Sequence, residues 1–149
     1  MNREEFKKRL IQRCRLLQQG SIANTRTEME DAQDSAFEHQ PRDQYDSYRD
    51  QMMGKRDMFA KQLQQSLEQL KMLDKIDPSK KVEKVDVGAV ILTGDQKIFV
   101  SIGIGKFEFE NETWVAISPF VPFFHALHGH KKGDTVQFRD KKIELLDVF

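Results

Sequence analysis

The sequence predicts an α+β fold, with a long antiparallel helical hairpin at residues 1–78 and a small antiparallel sheet domain with one helix at residues 79–149. Two observations support this division. Residues 1–78 contain only 2 of the 8 glycines and 3 of the 11 phenylalanines, and they are rich in good helix formers. The other residues contain 6 glycines and 8 phenylalanines, with short β-branched runs between turn signals. We therefore place the domain boundary near Pro78.

A single strong helix breaker interrupts the first part of the chain. Pro41 separates helical segments of similar length, at 4–38 and 42–76. Two such segments around one break predict an antiparallel hairpin. At about 1.5 Å per residue, each helix is expected to be about 50 Å long, a length typical of a probe, a lever or a dimerisation arm.

The apolar residues predict how the two helices face each other. With the hairpin tip near Pro41, the numbers of facing residues should add up to about 80. Cys14 then faces Ser66. Gly20 faces Ala60, where the missing side chain would allow a close approach of the helices. The second helix also carries leucines spaced by three and four, as in a coiled coil: Leu63, Leu67, Leu70 and Leu73.

The second part of the chain is predicted to contain one short helix and six strands. The helix begins near Pro122 and ends at Gly129. Trp114 is expected in the core, and the phenylalanines around the helix are expected to pack it on the sheet: Phe120, Phe123 and Phe124. The strands are predicted at 87–92, 97–102, 106–109, 113–117, 134–138 and 142–148.

The composition argues against several classes of protein. The 24 basic and 24 acidic side chains cancel, which argues against gripping duplex DNA by bulk charge. No apolar run approaches the roughly 18 residues of a membrane span. The charged N-terminus lacks the apolar segment of a signal peptide, and Cys14 is the only cysteine. We therefore expect a cytoplasmic protein.

The cancelling charges are nevertheless unevenly distributed. Residues 28–50 carry eight acidic and two basic side chains, a local charge of −6, whereas residues 1–27 have a charge of +5. Such an acidic run can simply be the solvated end of a helix. Carboxylates gathered at the end of a long hairpin could also deliver a divalent cation, and their oxygens suit magnesium.

The segment ISPFVPFFHALHGHKKGDTV, residues 117–136, resembles a pattern of the GreA/GreB family of bacterial transcript-cleavage factors. The entry into the sheet, VDVGAVI at 85–91, and the hairpin of matching length agree with this resemblance. The matching positions of the pattern are Ser118-Pro119, Ala126-Leu127, Gly129, Lys132 and Gly133-Asp134.

The resemblance implies an FKBP-like C-terminal domain that docks at the rim of the secondary channel of RNA polymerase. It assigns this docking to residues around Ser118, Pro119, Gly133 and Asp134. It also implies a coiled coil that reaches the polymerase active site and meets the nascent RNA indirectly, without stable binding of duplex DNA. The chain would then be no enzyme, but at most a cofactor of the polymerase's own RNA cleavage.

The resemblance further implies that acids at the hairpin tip share a magnesium ion with the polymerase. Glu38 and Asp34 are the candidates for assisting catalysis, and Asp43 joins them as a candidate magnesium ligand. The tip departs from the family pattern, because aligning Tyr45 with the family tyrosine places Pro41 where a second carboxylate is expected. Two functions therefore stay open: stimulation of RNA cleavage, or binding to polymerase without cleavage as a regulator or inhibitor.

Three other features have a chemical and a structural interpretation. Cys14 could be a nucleophile, but its place on an apolar helix face favours a core cysteine. His125, His128 and His130 could bind zinc, although their spacing matches no common ligand set and a surface helix end explains them better. An FKBP-like unit could also be a prolyl isomerase, the weakest of the functional hypotheses.

Overall fold

The computed structural model describes residues 2–36 and 42–149, with side chains from residue 47 onward in the second range. The α+β class is confirmed: two long helices precede a six-stranded sheet and a short helix. Contacts divide the chain into two compact units. The sheet unit contains the residues up to Arg15 together with Lys71–Phe149, and the hairpin unit is Leu16–Leu70. The first turns of the hairpin thus belong with the sheet.

The two predicted helical segments form two helices of nearly equal length. Helix α1 spans Arg3–Ala36 and helix α2 spans Arg42–Asp74, with 34 and 33 residues. Asn2 caps the start of α1, because its Oδ1 accepts a hydrogen bond of 3.1 Å from the backbone N–H of Glu5. The predicted break at Pro41 lies outside the described residues.

Gln18 sets the pairing of the helices within the hairpin unit. Its Nε2 donates to the backbone carbonyl of Ser66 at 2.9 Å and to Oε1 of Gln69 at 3.3 Å. The numbers of these paired residues add up to 84 and 87 rather than to the predicted value of about 80, so the predicted register of the hairpin unit is wrong by one to two helical turns. Apolar residues spaced by three and four recur at every helical turn, so their spacing alone is compatible with several registers. A buried side-chain amide requires hydrogen-bond partners, so it is compatible with fewer registers.

Gly20 does not mediate close helix packing. A Cβ atom built at this position would meet no other atom within 4 Å, and the residue is exposed. The predicted contact between Gly20 and Ala60 is thus wrong. Gly20 lies two residues after Gln18 and two before the buried Ile22, and residues two apart on a helix do not share a face.

All predicted strands and the predicted short helix are present in the sheet unit. The strand order in the sheet is β3-β4-β2-β1-β6-β5. The elements are β1 (Val90–Thr93), β2 (Lys97–Val100), β3 (Gly105–Phe109), β4 (Glu112–Ile117), α3 (Pro122–Leu127), β5 (Thr135–Phe138) and β6 (Lys141–Val148).

One strand pair differs from the predicted antiparallel sheet. Strands β2 and β4 are parallel, with Phe99 beside Ala116, whereas every other pair of neighbouring strands is antiparallel. After β2 the chain crosses to the sheet edge and forms β3. A two-residue turn at Glu110 and Asn111, both with positive φ, then returns β4 into the gap between β3 and β2. The sheet is therefore mixed.

Both faces of the sheet are covered. On one face, α3 contributes Phe124 and Leu127 to a core with residues from β1, β2, β5 and β6. On the other face, Phe6 of α1 contacts rings that together form what we call the aromatic cluster: Phe6, Phe109, Trp114 and Phe149. Trp114 is only 3% exposed, so its predicted place in the core is confirmed.

Candidate functional site

The residues assigned to polymerase docking lie in two loops at opposite ends of α3. Ser118 and Pro119 follow β4 and precede the helix, whereas Gly133 and Asp134 follow the helix and precede β5. A helix of six residues is about 9 Å long. The structure thus places the two pairs around one short helix, without bringing them into one cluster.

The first loop presents an exposed aromatic ring. The backbone N–H of Phe120 donates to Oγ of Ser118 at 3.3 Å, and the side chain of Phe120 is 74% exposed. The expectation that Phe120 packs the helix on the sheet is therefore wrong. The helix begins only at Pro122, so Phe120 does not lie on its buried face. For Phe124, which is buried, and Phe123, whose ring stacks on Phe138 at 5.2 Å, the expectation is confirmed.

The second loop is closed by the carboxylate of Asp134. Its Oδ2 accepts a hydrogen bond of 3.0 Å from the backbone N–H of Lys131 and lies 3.3 Å from Nδ1 of His130. The bond from Lys131 is the largest cause of a lowered pKa of Asp134, and His130 lowers it further. Gly133 has a φ of 92°, which favours glycine, and its N–H donates to Leu145. These residues shape the loop itself.

Backbone hydrogen bonds also anchor the second loop to the chain that enters the sheet. The N–H of Val85 donates to His130 at 2.8 Å, and the N–H of Gly129 donates to Val85 at 3.0 Å. The side chains of Lys131 and Lys132 are exposed on this anchored loop. The surface around α3 therefore offers an aromatic ring at one end of the helix and two lysines at the other.

Asp34 is the one candidate tip acid whose side chain the structure describes. It lies two residues before the end of α1 and is exposed, as are Glu28, Glu30 and Asp31 on the same helix. Glu38 lies outside the described residues, and of Asp43 only the place in α2 is described. The shared magnesium site therefore stays a prediction.

The described histidines do not assemble a metal centre. Among residues 2–36 and 47–149, no group of three or more histidine, cysteine or acidic side chains could hold a metal ion. His128 lies 3.8 Å from Asp86, and His130 lies 3.3 Å from Asp134. Two of the three histidines thus have different carboxylate neighbours, as expected for a surface helix end.

Two buried polar groups lie in the sheet-unit part of α1. Cys14 is fully buried, and burial raises the pKa of its thiol to about 12, so the reactive thiolate is disfavoured and the core interpretation is confirmed. Lys7 is only 3% exposed, and its burial was not anticipated. The sequence does contain a signal for this burial, because Lys7 lies four residues before Ile11 and seven before Cys14 and therefore shares the apolar face of the helix.

Comparison with known proteins does not identify the chain. No protein-family model matches it, and no curated protein matches it either. In the described part of the chain, no helix is both long and apolar enough to cross a membrane. Any functional assignment therefore depends on the residues and on their geometry.

Proposed function

We propose that this protein is a Gre-like elongation factor that binds RNA polymerase at its secondary channel and inserts the acidic end of its hairpin. The observation that carries the proposal is the pair of antiparallel helices of 34 and 33 residues with exposed acids near their junction. Helices of this length measure about 50 Å, enough to reach a site deep within another protein. The motif at 117–136 supplies the proposed anchor.

The loop before α3 is suited to docking. Ser118, Pro119 and Phe120 form a short segment between a strand and a helix, and buried Phe124 fixes that helix to the sheet. A lone exposed apolar residue is common on protein surfaces. Phe120, however, has the highest exposed fraction among the exposed large hydrophobic residues of the described chain, and it adjoins the very residues that the motif assigns to docking. Aromatic residues are enriched in the centres of protein interfaces.

The charge pattern supports insertion of the hairpin end towards bound magnesium. The excess of acids in residues 28–50 is attracted by a metal-centred active site, and their oxygens are ligands that magnesium prefers. In the cleavage reaction, water attacks the phosphorus of the RNA and the 3′ oxygen of the upstream nucleotide leaves. Asp34, Glu38 and Asp43 would hold the second magnesium ion, which stabilises the charge that develops in this step.

Stalled transcription complexes test the proposal directly. The purified protein is expected to bind RNA polymerase from the same organism and to accelerate the release of short 3′ RNA fragments. The double variant Asp34→Ala/Glu38→Ala should bind equally well but lose the acceleration. Glu68→Ala, an exposed acid elsewhere on α2, is the matched control and should behave like the wild type.

The outcomes separate the possible functions. Binding without accelerated cleavage by the wild-type protein would indicate the non-cleaving regulator. Equal acceleration by the wild type and the double variant would contradict the role of these two acids. Failure of the wild-type protein to bind polymerase would contradict the proposed function as a whole.

A further inference from the structure

Lys7 is a buried cation without a counter-ion. Its side chain is 3% exposed, and among the described residues its ammonium group has no hydrogen bond or ion pair. The ring of Phe149 lies nearby, with its centroid 5.8 Å from Nζ. The neighbouring Lys8 is exposed and lies 3.5 Å and 3.4 Å from the carboxylates of Glu4 and Glu5. The contrast shows that Lys7, unlike Lys8, lies away from the carboxylates of its own helix.

Lys7 lines a cavity of about 380 Å³ that lies within the sheet unit. The first turn of α1 forms one wall, residues 78–83 after α2 form a second, and the end of β6 with Phe149 forms a third. A cavity of this volume is within the range that accepts small ligands. Its charged lining is predominantly basic: Arg3, Lys7, Lys80 and Lys81, against Glu4 and Glu83.

The other charged groups of the lining leave Lys7 uncompensated. Arg3 is already paired with Asp147 at 2.8 Å, and Glu4 lies 3.5 Å from Lys8. Burial, and next the positive charge of Arg3, lower the pKa of Lys7 to about 8. A buried charge that lacks a partner is unfavourable, and an apolar residue here would avoid this cost. A bound anion would offset it.

We propose that this cavity binds a small organic phosphate, with the Lys7 ammonium as the buried cation that pairs with the phosphate oxygens. Lys80 and Lys81 contribute further positive charge from the loop wall. The ring of Phe149 and the side chains of Val82 and Val148 offer an apolar wall for the organic part of the ligand. This inference does not depend on the proposed function.

Titration of Lys7 in the wild-type protein is the first test, because it requires no variant. The Cε resonance of Lys7 is followed by NMR against pH at constant ionic strength, with chloride alone and with inorganic phosphate or phenyl phosphate. Phosphate is expected to bind saturably and to raise the pKa of Lys7, with phenyl phosphate binding more tightly. An unchanged titration curve would overturn the proposal.

Calorimetry with matched variants is the second test. Lys7→Met should weaken phenyl phosphate binding by about tenfold or more, the expected loss of one charge-assisted hydrogen bond, whereas Lys8→Met should leave it unchanged. Circular dichroism verifies that both variants are folded. Equal losses in the two variants, or acetate binding as tightly as phosphate, would overturn the phosphate site.

Discussion

Replacing Lys7 with methionine is expected to stabilise the sheet unit at neutral pH. Methionine is unbranched and similar in length, so it can fill the same space without carrying a charge. The pKa of Lys7 is lowered from 10.5 to about 8, and this difference corresponds to about 3 kcal/mol against the charged form. Because water reaches part of the cavity, we expect about 1–2 kcal/mol of this to appear as a gain in the free energy of unfolding.

The direction of the pH dependence follows from the lowered pKa. Between pH 8 and pH 10.5 the unfolded chain binds the Lys7 proton more tightly than the folded protein does. The contribution of Lys7 to the stability of the wild type therefore becomes less unfavourable as the pH rises across this window. The destabilising effect of Lys7 is fully present below pH 8 and is absent above pH 10.5. The advantage of Lys7→Met should shrink accordingly as the pH increases.

Urea unfolding followed by circular dichroism measures this effect at pH 7 and at pH 10 in a buffer without phosphate. The control is Lys8→Met, which removes an exposed charge whose pKa is raised by Glu5 and Glu4 and should slightly destabilise the protein at pH 7. The reasoning would be refuted by a Lys7→Met variant that is less stable than the wild type at pH 7. A stability difference that is the same at both pH values would refute it too.

The other predictions concern the hairpin, the docking loop and the turn before β5. Gly20→Ala and Gly54→Ala should each raise the free energy of unfolding, measured by thermal unfolding, by about 0.5–1 kcal/mol, because alanine favours a helix and the added Cβ meets no atom within 4 Å. A loss of stability in either variant would contradict the absence of close neighbours at that glycine. Phe120→Ser should weaken polymerase binding in a pull-down and leave the melting temperature unchanged, because the ring of Phe120 is exposed. The control Leu146→Ser removes another exposed apolar side chain and should leave binding unchanged. Equal binding by the two variants would exclude Phe120 from docking. Asp134→Ala should lower stability at pH 7, because the lowered pKa of Asp134 gives a stabilisation that is fully present above the ordinary pKa of 3.8 and is lost as the pH falls further. A loss that is constant down to about pH 2 would contradict the role of this carboxylate.

Much of the fold could be predicted from the sequence because its local signals are strong. Helix α3 lies between Pro122 and Gly129, as predicted, and the two long helices have nearly the predicted lengths. The parallel pairing of β2 with β4 could not be predicted in this way. Strand lengths and turns describe neighbours along the chain, but they do not say that β3 crosses to the sheet edge and leaves a gap for β4.

The candidate site was less predictable, because its properties arise from contacts between distant segments. In the sequence, Lys7 is one of several basic residues near the N-terminus. Only the structure shows that the loop after α2 and the end of β6 enclose it. Phe120 reads as a packing residue among phenylalanines, and only the start of α3 at Pro122 shows that its ring lies outside the core. Apolar spacing also predicted the helix register only to within one to two turns, and the hydrogen bonds of the Gln18 amide show the actual register.

The aromatic cluster constrains the order in which the chain can fold during synthesis. Phe6 emerges from the ribosome long before its partner Phe149, because most of the sequence printed above lies between them. The hairpin unit has mostly local contacts and can fold early, whereas one face of the sheet unit must wait for the last strand. In the interval the apolar face of the first helical turns is exposed. A fragment that lacks either end would keep that surface uncovered and is expected to aggregate.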